Sequence, residues 1–279
     1  TAVRVGALTG PTAMGMAQLL DKPEYTPTIV GAADELMPRI LQGEVDIAAV
    51  PANLAATLYQ KTQGGVTVLA VNVLGVLYVG ELGGETVQTV ADLKGKTLLA
   101  TGKGATPEYF LRYILTQNGL DPDKDVAIQW KSEPSEVVAL LNAKGEGLAM
   151  LPQPYVTAAA NQLGENFRIA LSVSEEWEKL ESDSRCTTAV VMARTAFVQE
   201  HPEQVQAFLE ALSQSVQWVN EQPQEAAELC EQLGIIKAGV AKKAIPGCNL
   251  VCITGDEMKQ ALSGCLEVIY DQNPKAVGG

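Results

Sequence analysis

The stretch Gly43-Glu44-Val45-Asp46-Ile47-Ala48-Ala49-Val50-Pro51 decides the fold, because its pattern returns 102 residues later as Gly145-Glu146-Gly147-Leu148-Ala149-Met150-Leu151-Pro152. Each copy is a glycine turn, an acidic residue and a short apolar run closed by proline, the pattern of a short buried strand. Working outward from the first copy, Val3 to Leu8 reads as a strand and Thr12 to Leu20 as a helix, then Thr26 to Val30 as a strand and Asp34 to Gln42 as a helix. Asp46 to Val50 is the third strand. Pro51 opens a helix to Gln60, since proline's missing N–H costs nothing at a first helical turn. Strand alternating with helix is the α/β pattern.

The second copy keeps the order. Thr97 to Ala100 reads as a strand, Thr101-Gly102-Lys103-Gly104-Ala105-Thr106-Pro107-Glu108 as a loop opening a helix to Thr116, Val126 to Trp130 as a strand and Pro134 to Ala143 as a helix. The offset between copies is 92 at Thr9 and Thr101 and 102 at Gly43 and Gly145, so the second copy contains an insertion. Beyond Cys186 a strand runs from Thr187 to Arg194, followed by helices Pro202 to Asn220, Pro223 to Leu233 and Asp256 to Tyr270 and no further strand. Helices alone cannot build a third lobe of this type, so they are expected to pack back on the first. That gives a discontinuous lobe one, 1–80 plus 190–279, and a lobe two, 81–189. The chain then crosses between lobes near Tyr78 to Gly84 and near Thr187 to Val191, and two extended crossings side by side make a hinge.

Composition agrees with a folded two-lobe protein. At 279 residues the chain exceeds the usual domain of about 100 to 200 residues. A hydrophobic content of 47%, with 19% charged residues and a mean hydropathy of +0.07, excludes disorder. With 33 acidic against 20 basic residues the net charge is −13, which repels phosphate backbones and anionic membranes and argues against a nucleic-acid partner. The most apolar stretch, Val66 to Val79, is interrupted by Thr67 and Asn72 and is shorter than the roughly 20 residues that span a bilayer. A chain that starts Thr1-Ala2-Val3-Arg4 and enters a strand at once is expected to have lost an upstream segment, a secretion leader being one candidate. Five cysteines are too few for a disulfide scaffold, and their odd number leaves at least one thiol free or paired between chains.

In open α/β sheets ligands sit beyond the carboxyl ends of the strands. That rule selects Thr9, Gly10, Pro11, Thr12 and Met14 after the first strand, and Pro51 and Asn53 after the third. In lobe two it selects Thr101, Gly102, Thr106 and Pro107, and then Gln153; Thr187 and Thr188 lie at the second crossing. Each lobe thus aims helix N-termini, with unpaired N–H groups, at one cleft. Taken singly, the Thr and Asn residues also suit N-capping, Glu108 suits the helix dipole, and Met14 and Met16 suit gap-filling in a core. Hydroxyls, amides and backbone donors recognise a solute without catalysing its conversion. No catalytic residue, cofactor or metal site is expected. His201, the single histidine, precedes Pro202 at a helix start and reads as a surface residue. Gly102-Lys103-Gly104 lacks the third glycine of a dinucleotide loop and the Gly-Lys-Ser/Thr of a phosphate loop. Cys248 and Cys252 have no second ligand pair, so thiols or a disulfide are expected there.

Asp92-Leu93-Lys94-Gly95-Lys96, followed by a strand and Thr101-Gly102, resembles the opening of the second lobe in ABC-transporter solute-binding proteins. Gly43-Glu44-Val45-Asp46-Ile47-Ala48 resembles their G-x-x-D approach to the third strand. From Val3 to about Pro274 the chain is similar to the nitrate, sulfonate, taurine and thiamine-precursor branch. Gly10-Pro11-Thr12-Ala13-Met14-Gly15-Met16 and Leu151-Pro152-Gln153-Pro154-Tyr155 look like variants of Gram-positive members. The resemblance implies a type II periplasmic-binding-protein fold that closes on a small solute. It also implies an export leader, often lipid-modified, an extracytoplasmic location, and permease and ATPase subunits as partners of a monomer. Family contacts map onto the Thr9 to Thr12 loop, Asn53, Thr101 to Thr106, Gln153 and Thr187. The arginine or lysine that family anion sites often add has only Lys103 and Arg185 nearby in sequence.

Two other functions fit the same fold. One is an enzyme of the dehydratase or pyrimidine-precursor-synthase type, for which Cys186 is the cysteine nearest the crossing. The other is a ligand-sensing domain of a regulator, which the absence of a DNA-binding helical module ahead of Val3 argues against.

Overall fold

The computed structural model describes residues 1–279. Parallel strands β1 (Val3–Leu8), β2 (Tyr25–Val30) and β3 (Ile47–Pro51) are connected through α1 (Pro11–Met14), α2 (Ala17–Leu20) and α3 (Ala33–Leu41). After α4 (Ala52–Lys61) comes β4 (Val66–Val73), and only Leu74-Gly75-Val76 separates it from β5 (Leu77–Leu82), which belongs to a different sheet. The second copy supplies β6 (Thr97–Thr101), α5 (Thr106–Gln117), β7 (Ala127–Lys131), α6 (Pro134–Lys144) and β8 (Gly147–Pro152). It continues through α7 (Tyr155–Leu163), β9 (Phe167–Ser172) and α8 (Val173–Glu178). The chain then returns to the first sheet as β10 (Ala189–Arg194) and runs through α9 (Thr195–Glu200), α10 (Pro202–Glu221) and α11 (Pro223–Gln232). It ends with α12 (Ala238–Ala244), β11 (Leu250–Ile253) and α13 (Gly255–Gln272).

The repeat seen in the sequence is a repeat of topology. One sheet has the order β11-β4-β10-β3-β1-β2 and the other β7-β6-β8-β5-β9; without β11, the two orders coincide strand for strand. In each, the strand next to the third parallel one is antiparallel to it, β10 in the first sheet and β5 in the second. Those two are the strands that arrive from the opposite lobe, so each lobe lends the other a central strand. The run Ile47-Ala48-Ala49-Val50 is apolar throughout because both faces of its sheet are covered. Ile47 and Ala49 join a core with Met14, Met16 and Phe208, while Ala48 and Val50 join one with Leu36 and Leu58.

Several boundaries differ from the sequence reading for identifiable reasons. The expected helix Thr12–Leu20 is broken into α1 and α2 at Gly15 and Met16. Ser215 of α10, fully buried, fills the break: its Oγ donates to the Gly15 carbonyl at 2.8 Å and accepts from the Leu19 N–H at 3.4 Å. Pro51 ends β3, paired with Ala189, and caps α4 instead of starting it. The first passage between sheets lies at Leu74–Val76, because the stretch expected to cross, Tyr78 onward, is strand β5 paired on both edges. The helical C-terminal third does contain a strand, β11, short and at the edge of the first sheet.

The last helix serves both lobes. Met258 and Leu262 pack on the core that holds Leu36 and Leu58, whereas Cys265 and Ile269 belong to the core of Phe110 and Trp177 in lobe two. These residues fall on one helical stripe, so the first half of α13 covers one lobe and the second half the other. All five cysteines are free thiols. Burial raises Cys230 to about 11 and Cys248 and Cys265 to about 12.

Candidate ligand cleft

The first-strand loops of the two lobes are built alike. Thr9-Gly10-Pro11 and Thr101-Gly102 each place glycine at φ 96°, in the left-handed region, just before a helix with proline in its first turn. Around the first of them lies a cavity of about 340 Å³ shared between the lobes. Lobe one contributes Thr9, Gly10 and Pro11; lobe two contributes Gln153, Pro154, Tyr155 and Ala158. The third wall is the turn between α11 and α12, with Ile235, Ile236, Lys237 and Val240. A larger depression, about 640 Å³, borders Tyr25 and α10 on the outer edge of lobe one and contains none of the residues selected from the sequence.

Gln153 is the best-positioned polar group of the cavity. It is 5% exposed, its N–H donates to the Val76 carbonyl at 2.9 Å, and its Oε1 accepts from the Thr157 hydroxyl at 2.7 Å. That bond from the first turn of α7 fixes the side chain and directs Nε2, with two N–H donors, away from Thr157. Gly247 of lobe one abuts that amide: a Cβ there would lie 2.5 Å from Nε2. The Tyr78 hydroxyl donates to the Gly247 carbonyl at 2.6 Å, and burial, followed by the nearby Cys248 and Glu175, pushes Tyr78 up to about 12. Lys243 of α12 donates to Asn161 of α7 at 3.2 Å. The two lobes therefore touch along α12 and α7 beside the cavity.

The turn carrying the third wall is rigid for a local reason. Gly234, at φ 76°, ends α11; its N–H donates to the Glu231 carbonyl and the Ile235 N–H to the Cys230 carbonyl at 2.9 Å. That is the Schellman arrangement, in which the residue after glycine packs back on the helix. Ile235 is 3% exposed and shares a core with Cys230. Ile236 and Lys237 then follow on the cavity side.

The other residues selected from the sequence occupy different places. The Thr12 hydroxyl donates to the Leu8 carbonyl one turn back, and Met14 is fully buried in the core. Asn72 of β4 donates to the Thr12 carbonyl at 3.1 Å, and its own buried Oδ1 has no hydrogen-bond partner. Asn53 donates to the Ala276 carbonyl at 3.3 Å, Thr187 is fully buried with its hydroxyl on the Arg185 carbonyl, and Thr188 bridges Val73 and Ala52 through its backbone. Pro107 packs against Gly102, and Thr106 opens α5 without a side-chain cap. Glu108 accepts from the Gly104 N–H at 3.0 Å.

A C-terminal segment joins these two sets of loops. Gln272 donates to the Tyr109 carbonyl at 2.8 Å and Asn273 to the Tyr109 hydroxyl at 2.9 Å in lobe two, while Ala276 receives Asn53 from lobe one. Cys186, the cysteine nearest the second crossing, is fully buried, and burial raises its thiol well above the ordinary range. His201 is exposed beside Phe197 and is not among the residues lining the cavity. No group of three His, Cys, Asp or Glu side chains is arranged to hold a metal ion.

The sequence model of the NMT1-like family matches residues 30–234. No curated protein matches the chain in sequence. Among solved structures, an ABC transporter from Parabacteroides distasonis is similar at a TM-score of 0.83 and 25% identity, over 100% of this chain and 95% of that one. The periplasmic aliphatic sulphonate binding protein SsuA from Escherichia coli superposes at a TM-score of 0.73 and 19% identity, over 99% and 93%. The periplasmic nitrate-binding protein NrtA from Synechocystis PCC 6803 does so at 0.57 and 16%, over 92% and 74%. The two sheets and their flanking helices are thus the periplasmic-binding-protein fold.

Proposed function

Because the chain belongs to the NMT1-like family, we propose that it is the solute-binding component of an ABC importer, working outside the cytoplasm and capturing a small organic solute between its lobes. The observation that carries this reading is the cavity of about 340 Å³ to which Thr9, Gly10 and Pro11 come from one lobe and Gln153, Pro154 and Tyr155 from the other. A solute touching both walls binds the closed arrangement better than the open one, and only that difference in affinity drives closure. The moving bodies follow the sheets, not the 80/81 and 189/190 boundaries expected from the sequence, which would split β5 and β10: residues up to about Val76 plus those from Ala189 onward form one, and Leu77 to about Thr188 the other, hinged at the two passages of the chain between sheets.

The solute class includes sulfonates and pyrimidine or thiamine precursors, and the protein acts as a monomer that hands its cargo to permease and ATPase subunits. A lipid anchor on a leader ahead of Thr1 would hold it at the cell surface. Its role is binding without catalysis: the cavity offers an amide, two hydroxyls (Thr9 and Tyr155) and a lysine but no paired acid and base. No helix is long and apolar enough to cross a membrane.

Mass spectrometry of the solute that co-purifies and is released on denaturation tests the reading. That solute, added back at 100 times its Kd, is expected to stabilise the protein by about 2.7 kcal/mol and to reduce its radius in solution scattering. A protein that carries no solute, and that no solute stabilises or compacts, would refute it.

A further inference from the structure

Leu74-Gly75-Val76, the first passage between the sheets, is held by hydrogen bonds at both ends. The Leu74 N–H donates to the Asn249 carbonyl at 3.0 Å on the lobe-one side, and the Val76 carbonyl accepts from the Gln153 N–H at 2.9 Å on the lobe-two side. Asn249 adds a second grip, since its side-chain Nδ2 donates to the Gly75 carbonyl at 2.6 Å. With that bond in place, only the backbone torsions of Val76 lie between a peptide group tied to lobe one and a peptide group tied to lobe two. Without it Leu74 and Gly75 also turn, and glycine has the widest backbone freedom of any residue. Asn249 sits at φ 49°, in the left-handed region, which asparagine tolerates better than most residues with a side chain.

Two residues earlier the same segment meets lobe two directly, where the Gly247 carbonyl accepts from the Tyr78 hydroxyl at 2.6 Å. Tyr78 lies in β5 between Leu151 of β8 and Ser172 of β9, whereas the neighbours of Gly247, Ile245 and Cys248, are core residues of lobe one. Asn220 of α10 donates to the Leu250 carbonyl at 3.0 Å and anchors the far end of the segment in lobe one. The Tyr78 bond can therefore form only while the lobes are together. Neither Tyr78 nor Asn249 lines the cavity.

We propose that Gly247–Asn249 is a third strap beside the two passages of the chain, and that Asn249 and Tyr78 are positioning residues that bias the solute-free protein toward its closed arrangement. Asn249 does so by immobilising Gly75, and Tyr78 by bonding across the lobes. Walls assembled before a solute arrives leave less of its binding free energy to be spent on closure.

Solution scattering of the dialysed, solute-free protein, recorded far below its melting transition and fitted as a mixture of closed and open forms, tests the strap without any solute. Tyr78→Phe keeps the ring and drops one bond, and Asn249→Gly keeps the left-handed backbone and drops the other. Each is expected to raise the open-to-closed ratio about 2- to 10-fold, and with it the mean radius, and the double variant should raise both further. Melting curves that stay cooperative would show that the variants fold. An unaltered radius in both variants, whatever the melting temperature, would make these ordinary structural contacts and overturn the proposal. A larger radius in only one variant would overturn the part assigned to the other.

Discussion

Four hydrogen bonds converge on the carboxylate of Asp46, from the Arg4 backbone N–H, Arg4 Nε and Nη2, and Arg194 Nη2. Burial alone would raise this carboxyl, but the bonds from the two arginines outweigh it and hold Asp46 below the ordinary range. Glu81 is held low against burial in the same way, by Thr86, the Val87 N–H and Arg168. A carboxyl depressed in the folded state adds stability that is present above its unfolded pKa of about 4 and is lost as pH falls through the folded value. Melting curves from pH 7 to 3 should therefore drop below about pH 4. Asp46→Asn should flatten that drop and cost about 2–3 kcal/mol at pH 7, the lower part of the range for a buried pair because Arg4 is nearly half exposed; an unchanged profile would contradict the account. At the cleft, Gly247→Ala puts a methyl group against Gln153, which Thr157 prevents from swinging away. Calorimetric affinity for the co-purified solute should fall about tenfold, with little change in melting temperature. That Thr9, Gly10, Pro11 and Gln153 line one cavity is legible because strand ends gather at one edge wherever the sheet order is known. Asn53 follows from the same rule, yet its amide is taken by Ala276, a partner 223 residues away that no local pattern announces.

Elements with a period and a punctuation mark are the readable ones. β1, β3, β6 and β8 stand within a residue or two of the spans expected from their apolar runs and flanking glycines. The β4–β5 passage is hidden because Val66 to Leu82 stays largely buried across it, leaving no change in composition where the chain changes sheets. The α11–α12 turn has a visible glycine stop, but nothing local tells that Ile236 and Lys237 face the other lobe. Within β5, Gly80 leaves no room: a Cβ there would run into the Phe167 ring. Gly80→Ala should cost about 2 kcal/mol by overpacking and lower the melting temperature by roughly 4–8 °C in scanning calorimetry. A smaller effect would mean that β9 shifts freely against β5.

At the scale of the molecule, the doubled strand order is readable from repeated loops, whereas the structural bond between lobes made by α13 and residues 272–276 is not. A helix stripe shows that a face is buried and is silent about which lobe buries it. Since Gln272 and Asn273 grip Tyr109 while Ala276 holds Asn53, replacing both Gln272 and Asn273 by alanine should let the solute-free protein open further. Its radius in solution scattering should increase, and an identical radius would show that the segment restrains nothing. The unpaired thiols give the packing at that junction a clock. Cys186 and Cys265 lie beneath the junction of the lobes and Cys230 and Cys248 deep within lobe one, all with acidities suppressed by burial. A coloured aromatic disulfide at neutral pH should consume half-buried Cys252 first, and the lag before Cys186 and Cys265 react would time the transient unpacking of the core that α13 shares with lobe two.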